Sequence, residues 1–307
     1  MHKPVLYQEV IDYLQPGGRS RYIDATVGAG GHALGLLKAS APDGIVVALD
    51  RDPMAIEFAR QRLAEFKDRV TLVNASYEQM AIVASQIGMS GVDGVLMDLG
   101  LSSMQLADSE RGFSFQEDGP LDMRFDTSRG STAADLINAM PEEGIADILW
   151  RYGDVRESKR FARAIVRERP IDSTLQLADL ILKESRTRGK IHPATRIFQA
   201  LRIAVNDELE TLKKGLAAAI DVLKIGGRLA VISFHSLEDR IVKHFIREQS
   251  RDCVCPPEYP VCICDARPVV RAVHRKVIRP AEAEVQSNPR SRSARMRVAE
   301  KVAEVIA

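Results

Sequence analysis

Asp24-Ala-Thr-Val-Gly28-Ala-Gly30-Gly31-His32 follows the apolar run Arg21-Tyr22-Ile23 and precedes the helical pattern Ala33-Leu-Gly-Leu-Leu-Lys38. The order reads strand, tight glycine turn, helix. Glycines allow positive φ and close approach of a ligand, and the helix that follows presents unpaired N–H groups to polar ligand atoms. A nucleotide-like cofactor belongs at such a turn. Gly28-x-Gly30-x-x-Ala33 fits the dinucleotide fingerprint, and Asp50, 22 positions after Gly28, is placed for a ribose hydroxyl.

Outward from the turn, strand and helix patterns alternate. Residues 44–50 are a continuous apolar run ending in an acid, as in a buried parallel strand. Asp52-Pro53 opens a helix with Ala55, Ile56, Ala59 and Leu63 on one face. Residues 70–73 read as a strand, 77–88 as a helix and 92–98 as a fourth strand, which predicts a doubly wound, largely parallel α/β sheet. Upstream, Val5, Leu6, Val10, Tyr13 and Leu14 predict a short amphipathic helix ending at Pro16-Gly17-Gly18.

Beyond residue 103 the alternation stops. Residues 109–124 have neither period yet keep aromatic and apolar side chains, the mark of an ordered functional loop. Segments 133–140, 142–152, 157–169, 175–183 and 194–206 all read helical. The α/β pattern resumes with a helix over 208–223, a turn at Ile225-Gly226-Gly227, a strand over 228–234 and a helix over 237–248, while runs 269–278 and 295–302 could close the sheet edge. The expected division is a core from residues 1–108 and 207–307, with a substrate-recognising loop and all-helical insertion over 109–206.

A chain of 307 residues can bury one substantial core and a smaller unit. No apolar run is long enough to span a membrane and no secretory h-region opens the chain, so a cytoplasmic protein without a membrane partner is expected. The net charge of +1 hides two basic clusters. Arg151, Arg156, Lys159, Arg160, Arg163, Arg167 and Arg169 load the insertion. Arg267, Arg271, Arg275, Lys276, Arg279, Arg290, Arg292, Arg295 and Arg297 load the tail. Neutralising RNA phosphates is their obvious use, a solvated surface the bland one. Cys253-x-Cys255-x6-Cys262-x-Cys264, with Pro256, Pro257 and Pro260 between, could fold back into a four-thiolate zinc knot, with reduced thiols or a disulfide as alternatives.

Three features favour S-adenosylmethionine over NAD at the glycine turn. Asp24 could pair with a methionine ammonium but would repel a pyrophosphate. Asp98-Leu-Gly ends the fourth strand, where many methyltransferases keep an acid-led motif, and no hydride-transfer site is evident. A broader likeness then emerges from His2-Lys-Pro-Val-Leu, Asp24–His32, Asp98-Leu-Gly-Leu-Ser-Ser103, Arg111-Gly-Phe-Ser-Phe115, Gly119-Pro-Leu-Asp-Met-Arg124, Thr195–Asn206, Ser233-Phe-His-Ser-Leu-Glu-Asp-Arg240 and Asn288-Pro-Arg-Ser-Arg-Ser293. These motifs are co-linear, and over nearly its whole length the chain resembles the MraW/RsmH family of bacterial small-subunit rRNA methyltransferases. The resemblance implies a class I Rossmann-like core with an inserted helical domain. It further implies methylation of N4 of a decoding-region cytidine, cytosine 1402 of 16S rRNA. The sequence leaves open whether that RNA is naked or in the small subunit, and no obligate protein partner is evident in it.

Carried over residue by residue, the resemblance puts cofactor contacts on Gly30, Gly31, His32, Asp50, Tyr77, Asp98 and Gln105. Ionised Asp50 is acceptor-only and suits two ribose hydroxyls. Tyr77 offers an aromatic face to adenine or, alternatively, packs as the core-facing start of a helix. Gln105 rests on resemblance alone. Cytosine N4 is a poor nucleophile, so acceptors for its amino hydrogens should dominate catalysis. Asp98, Asp122 and His235 are the candidates. The competing duty of Asp122 is an ion pair with Arg124, and that of His235 a helix-entry hydrogen bond to the backbone. An NAD-linked oxidoreductase and a non-catalytic RNA-binding module are the other functional readings.

Overall fold

The computed structural model describes residues 4–186, 192–253, 255, 258, 259, 261–264 and 266–305. His2 and Lys3 of the first motif, and Pro256, Pro257 and Pro260, lie outside them. The chain divides into two compact units, residues 1–100 with 209–307, and residues 101–208.

The first unit contains α1 (Tyr7–Leu14), β1 (Arg21–Asp24), α2 (Gly31–Ala39), β2 (Ile45–Asp50), α3 (Pro53–Arg62), β3 (Val70–Asn74), α4 (Met80–Gln86) and β4 (Val92–Asp98). Among its described residues the second contains α5 (Ser103–Ala107), α6 (Ala133–Ala139), α7 (Glu142–Gly153), α8 (Ser158–Arg167), α9 (Thr174–Glu184) and α10 (Ala194–Asn206). The chain then runs through α11 (Glu208–Val222), β5 (Leu223–Ser233), α12 (Ser236–Gln249), β6 (Val270–Ala272), α13 (Glu282–Ser287) and β7 (Arg295–Lys301).

The seven strands lie in the order β3-β2-β1-β4-β5-β7-β6. The first five are parallel, and β7 and β6 join antiparallel. Side chains alternate across a strand, so the continuous apolar runs serve two cores at once. Ile23, Val47, Leu49, Val95, Met97, Leu229 and Val231 pack with Met80, Leu212, Leu216, Val242 and Ile246 of α4, α11 and α12. Their neighbours Tyr22, Val46, Ala48, Leu96, Ala230 and Ile232 pack with Val10, Leu36, Leu37, Ile56 and Ala59 of α1, α2 and α3. Strand order reverses between β1 and β4, the switch point at which such sheets bind ligands beyond the carboxyl ends of the strands.

Several boundaries differ from the sequence expectation. The strand expected from residue 228 begins at Leu223, because the turn at Ile225-Gly226-Gly227 is a bulge within the ladder. Val92 pairs with Leu223 and Gly94 with Arg228, and Gly226 takes a φ of 83°. The helix expected over 77–88 opens as a 3-10 turn, Tyr77–Gln79, before α4. Of the run 269–278 only Val270–Ala272 is strand, with an isolated bridge from Ile278 to Met296. The short helices α5 and α13 carry too little periodicity to be seen in advance.

Within the second unit the aperiodic loop is pinned by buried polar groups. Arg111 donates to the carbonyls of Arg124 and Phe125, both at 3.0 Å. Asn206 accepts from the Phe125 N–H at 2.8 Å and donates to the Met123 carbonyl at 2.7 Å. Gly112, at φ 67°, passes so close to the returning chain that a Cβ would overlap the Pro120 carbonyl oxygen and lie 2.7 Å from the Asp122 nitrogen. Gly112→Ala is therefore expected to destabilise the protein by more than about 2 kcal/mol, read as a lowered denaturation midpoint, since both left-handed backbone and backbone contact oppose the methyl group.

Candidate active site

Asp24, Asp50 and Asp98 end β1, β2 and β4, three neighbouring parallel strands, so the topology gathers three carboxylates beside the glycine turn. Their duties differ. Asp50 is a lock: one oxygen accepts from the Gly28 N–H at 2.9 Å and the other from the Asp52 N–H at 3.0 Å. Burial pushes its carboxyl up to about 6, against the pull of those N–H donors.

Asp24 is 1% exposed, and burial lifts its carboxyl to about 7, opposed by the charge of His32 and the Thr26 N–H. One oxygen accepts from that N–H at 3.3 Å, and Oδ2 has no hydrogen-bond partner among the described residues. His32, buried in the first turn of α2, places Nε2 3.5 Å from Asp98 Oδ2, within ion-pair reach but outside hydrogen-bond geometry. Both of its ring nitrogens and Asp98 Oδ1 are likewise unmatched. Buried polar atoms are normally satisfied, so orphaned groups of this kind mark a ligand position. A ligand with a cationic end fits Asp24, because an ammonium would offset the desolvation that holds its proton.

Thr26 was missed by sequence reasoning. Its hydroxyl accepts from the Asp98 N–H at 2.7 Å, tying the turn to the end of β4. Only the β1–β4 pairing reveals this, since the two residues are 72 apart.

The glycines divide the work. Gly28 and Gly30 take φ of 48° and 75°. A Cβ on Gly28 would meet nothing within 4 Å, whereas one on Gly30 would lie 3.4 Å from Ala59 and Leu63. On α2, Gly31 and Gly35 admit the entry to α1: their Cβ atoms would fall 2.5 Å from Pro4 Cγ and 2.6 Å from Tyr7 Cε2. Tyr7 also stacks on His32 at 6.3 Å between centroids.

The other candidates are engaged locally. Tyr77 is half-buried against the core, and Gly215 of α11 leaves room for its ring. In the second unit, Gln105 closes a capping box with Ser102, Oε1 accepting from the Ser102 N–H at 3.0 Å. Asp122 grips Arg124 at 2.8 and 2.7 Å. Burial alone would raise its carboxyl, but those bonds hold it below the usual range. His235 caps α12 in a reciprocal box with Glu238, whose Oε1 lies 3.2 Å from Nε2.

The basic clusters also separate. On the insertion, Arg151 pairs with Asp147, Arg163 with Glu142, and Arg160 and Arg167 both with Glu184, while Arg169 donates to the carbonyls of Ile137 and Met140. In the tail, Arg295 and Arg297 share Asp239, and Arg271 pairs with Glu300. Arg267, Arg275, Lys276, Arg279, Arg290 and Arg292 are exposed.

Two outcomes follow from the buried acids. The folded, ligand-free protein holds the Asp24 proton up to about 7, above the ordinary 3.8, so the associated stability is full at acid pH and lost as pH rises through about 7. Asp24→Asn should remove that decline, raising the ligand-free melting temperature at pH 8 relative to the parent while abolishing binding of a cationic ligand in calorimetry. Thr26→Val, which strands the Asp98 N–H, should cost about 1–3 kcal/mol in stability by denaturant titration.

Over residues 1–302 the chain matches the MraW methylase family. It is 50% identical over 306 residues to the ribosomal RNA small subunit methyltransferase H of Thermomicrobium roseum, covering 98% of this chain and 94% of that one. The protein of the same name from Symbiobacterium thermophilum is 51% identical over 309 residues, covering 98% and 96%. A solved rRNA methylase from Streptococcus thermophilus aligns over 99% of both chains at 13% identity and a TM-score of 0.45. The family match and the half-identical relatives exclude the oxidoreductase and the non-catalytic binder. The glycine turn, the three strand-end acids and the match along nearly the entire sequence lead to one conclusion: this chain is a methyltransferase and belongs to the MraW methylase family.

Proposed function

We infer that the chain uses S-adenosylmethionine to methylate the exocyclic N4 of cytosine 1402 in 16S rRNA. The observation that carries this reading is the orphaned pair Asp24 Oδ2 and Asp98 Oδ1 at the ends of adjacent strands β1 and β4. The family and the names of its half-identical relatives support the substrate, and the shared motifs support the position.

The cofactor, when bound, supplies an electrophilic methyl group. Asp24 would hold its ammonium, and Gly28 and Gly30 would let the backbone approach it. Asp50, with lone pairs left after locking the turn, would accept from ribose hydroxyls. Gly31, Tyr77 and Gln105 remain in the proposed contact set, although the first two also serve packing. Asp98 would accept an amino hydrogen of the cytosine, drawing density to nitrogen as the new bond forms. His32, beside the other Asp98 oxygen, would keep that carboxylate oriented. Asp122 and His235, each committed to a local ion pair or cap, would shape their loops rather than take protons.

The target base must be unpaired or flipped to reach the donor. The exposed tail arginines, foremost Arg290 and Arg292 on the 3-10 turn Pro289–Ser293, are the proposed phosphate contacts, and the helical unit, whose arginines are mostly paired, is proposed to recognise substrate by shape. No described helix is long and apolar enough to cross a membrane.

Labelled methyl incorporation into 16S RNA, supplied naked and in small subunits and followed by mapping of the modified base, tests the reading. Incorporation at cytosine N4 is expected for the parent and less than about one-hundredth of it for Asp98→Ala. Near-normal turnover by that variant would remove Asp98 from the site. Arg290→Glu with Arg292→Glu should weaken RNA binding and flatten its salt dependence by about two charges, with S-adenosylmethionine affinity unchanged.

A further inference from the structure

Away from the glycine turn, residues 250–268 form a loop closed at its neck, where the Val269 N–H donates to the Gln249 carbonyl at 2.8 Å. Its described residues form no helix or strand. Tyr259, Val261 and Ile263 are 51%, 70% and 72% exposed, so no apolar core of its own holds the loop. So small a segment needs another staple.

Four sulfurs gather there. The Sγ atoms of Cys253, Cys255, Cys262 and Cys264 all lie within 4.8 Å of one another. Cys262 and Cys264 are 3.6 Å apart, Cys253 and Cys264 3.8 Å, and Cys255 and Cys262 4.0 Å. A disulfide would bring two sulfurs to about 2.05 Å. A tetrahedral zinc with Zn–S bonds of about 2.3 Å sets its sulfur–sulfur edges at about 3.8 Å. The three spacings bracket that value. The Ile263 N–H also points at Cys255 Sγ, 3.4 Å away, a backbone donor of the kind that steadies metal-bound thiolates.

We propose that Cys253, Cys255, Cys262 and Cys264 bind one structural zinc ion that closes this loop between α12 and β6. Four thiols release four protons and one Zn²⁺ takes four thiolates, leaving a site of net charge −2. The close grouping of all four sulfurs suits one ion rather than a cluster whose irons would each take two cysteines. The site stands whether or not the methyl-transfer reading holds, because its readout is metal content.

The full-length chain, purified without chelator, reduced, loaded with zinc and dialysed, should retain one zinc per chain by elemental analysis. The metal should leave on titration with a mercurial thiol reagent. Cobalt substitution should give the ligand-field bands of a tetrahedral thiolate site. Cys255→Ser with Cys262→Ser should lose the metal while keeping the melting transition of the sheet, and cobalt spectra of the parent decide the matter if that variant fails to fold. Four freely titrating thiols with no retained metal, or a mass showing two disulfides after air purification and no metal uptake after reduction, would each overturn the proposal.

Discussion

The carboxylate of Asp50 holds the first unit to its purpose. By accepting the N–H of Gly28 with one oxygen and that of Asp52 with the other, it fixes the turn after β1 against the turn after β2. Two backbone donors that would otherwise face the site unpaired are satisfied by one side chain. The same side chain starts α3, since Asp52, held in place by it, caps that helix through Met54. Replacing Asp50 would therefore disturb two loops and a helix before any ligand is considered.

Asp24 works in the opposite sense. Its burial outweighs the charge of His32 and the Thr26 N–H, so its environment penalises the very charge a cationic ligand would use. The protein keeps a costly group in its interior for a partner, the stability–activity trade often met at binding sites. Thr26 makes this tolerable by joining the turn to β4, so that the unmatched atoms sit in a rigid frame.

The strands, the glycine turn and the long helices were legible because apolar runs and glycines encode them directly. What stayed hidden came from partners distant in sequence. Nothing local in Gly31-His32-Ala33-Leu34-Gly35 says that its glycines admit Pro4 and Tyr7 rather than a ligand. The arginines of α8 look like a basic face until Glu142 and Glu184, from α7 and α9, are placed against them. Gln105 was carried over as a cofactor contact and proves to be half of a capping box, while the helix-entry hydrogen bond weighed for His235 is the one it makes; Ser102-x-x-Gln105 and His235-x-x-Glu238 spell out both boxes locally. The bulge at Gly226 escaped notice because a turn and a bulge share the same glycine chemistry.

The position of β7 bears on how the protein is made. β5 stands between β4 and β7, and β7 follows it by roughly sixty residues, so a chain emerging from the ribosome carries β5 as an open sheet edge until β7 arrives. The entry to α1 waits far longer, because the Leu6 N–H is held at 2.8 Å by Glu284, 278 residues further along. Pro4 and Tyr7, which back the glycine turn, thus flank a residue anchored across 278 positions of sequence. A nascent chain that stops short of Glu284 would hold the whole cofactor motif in its sequence and still lack the contact that anchors the residues backing it.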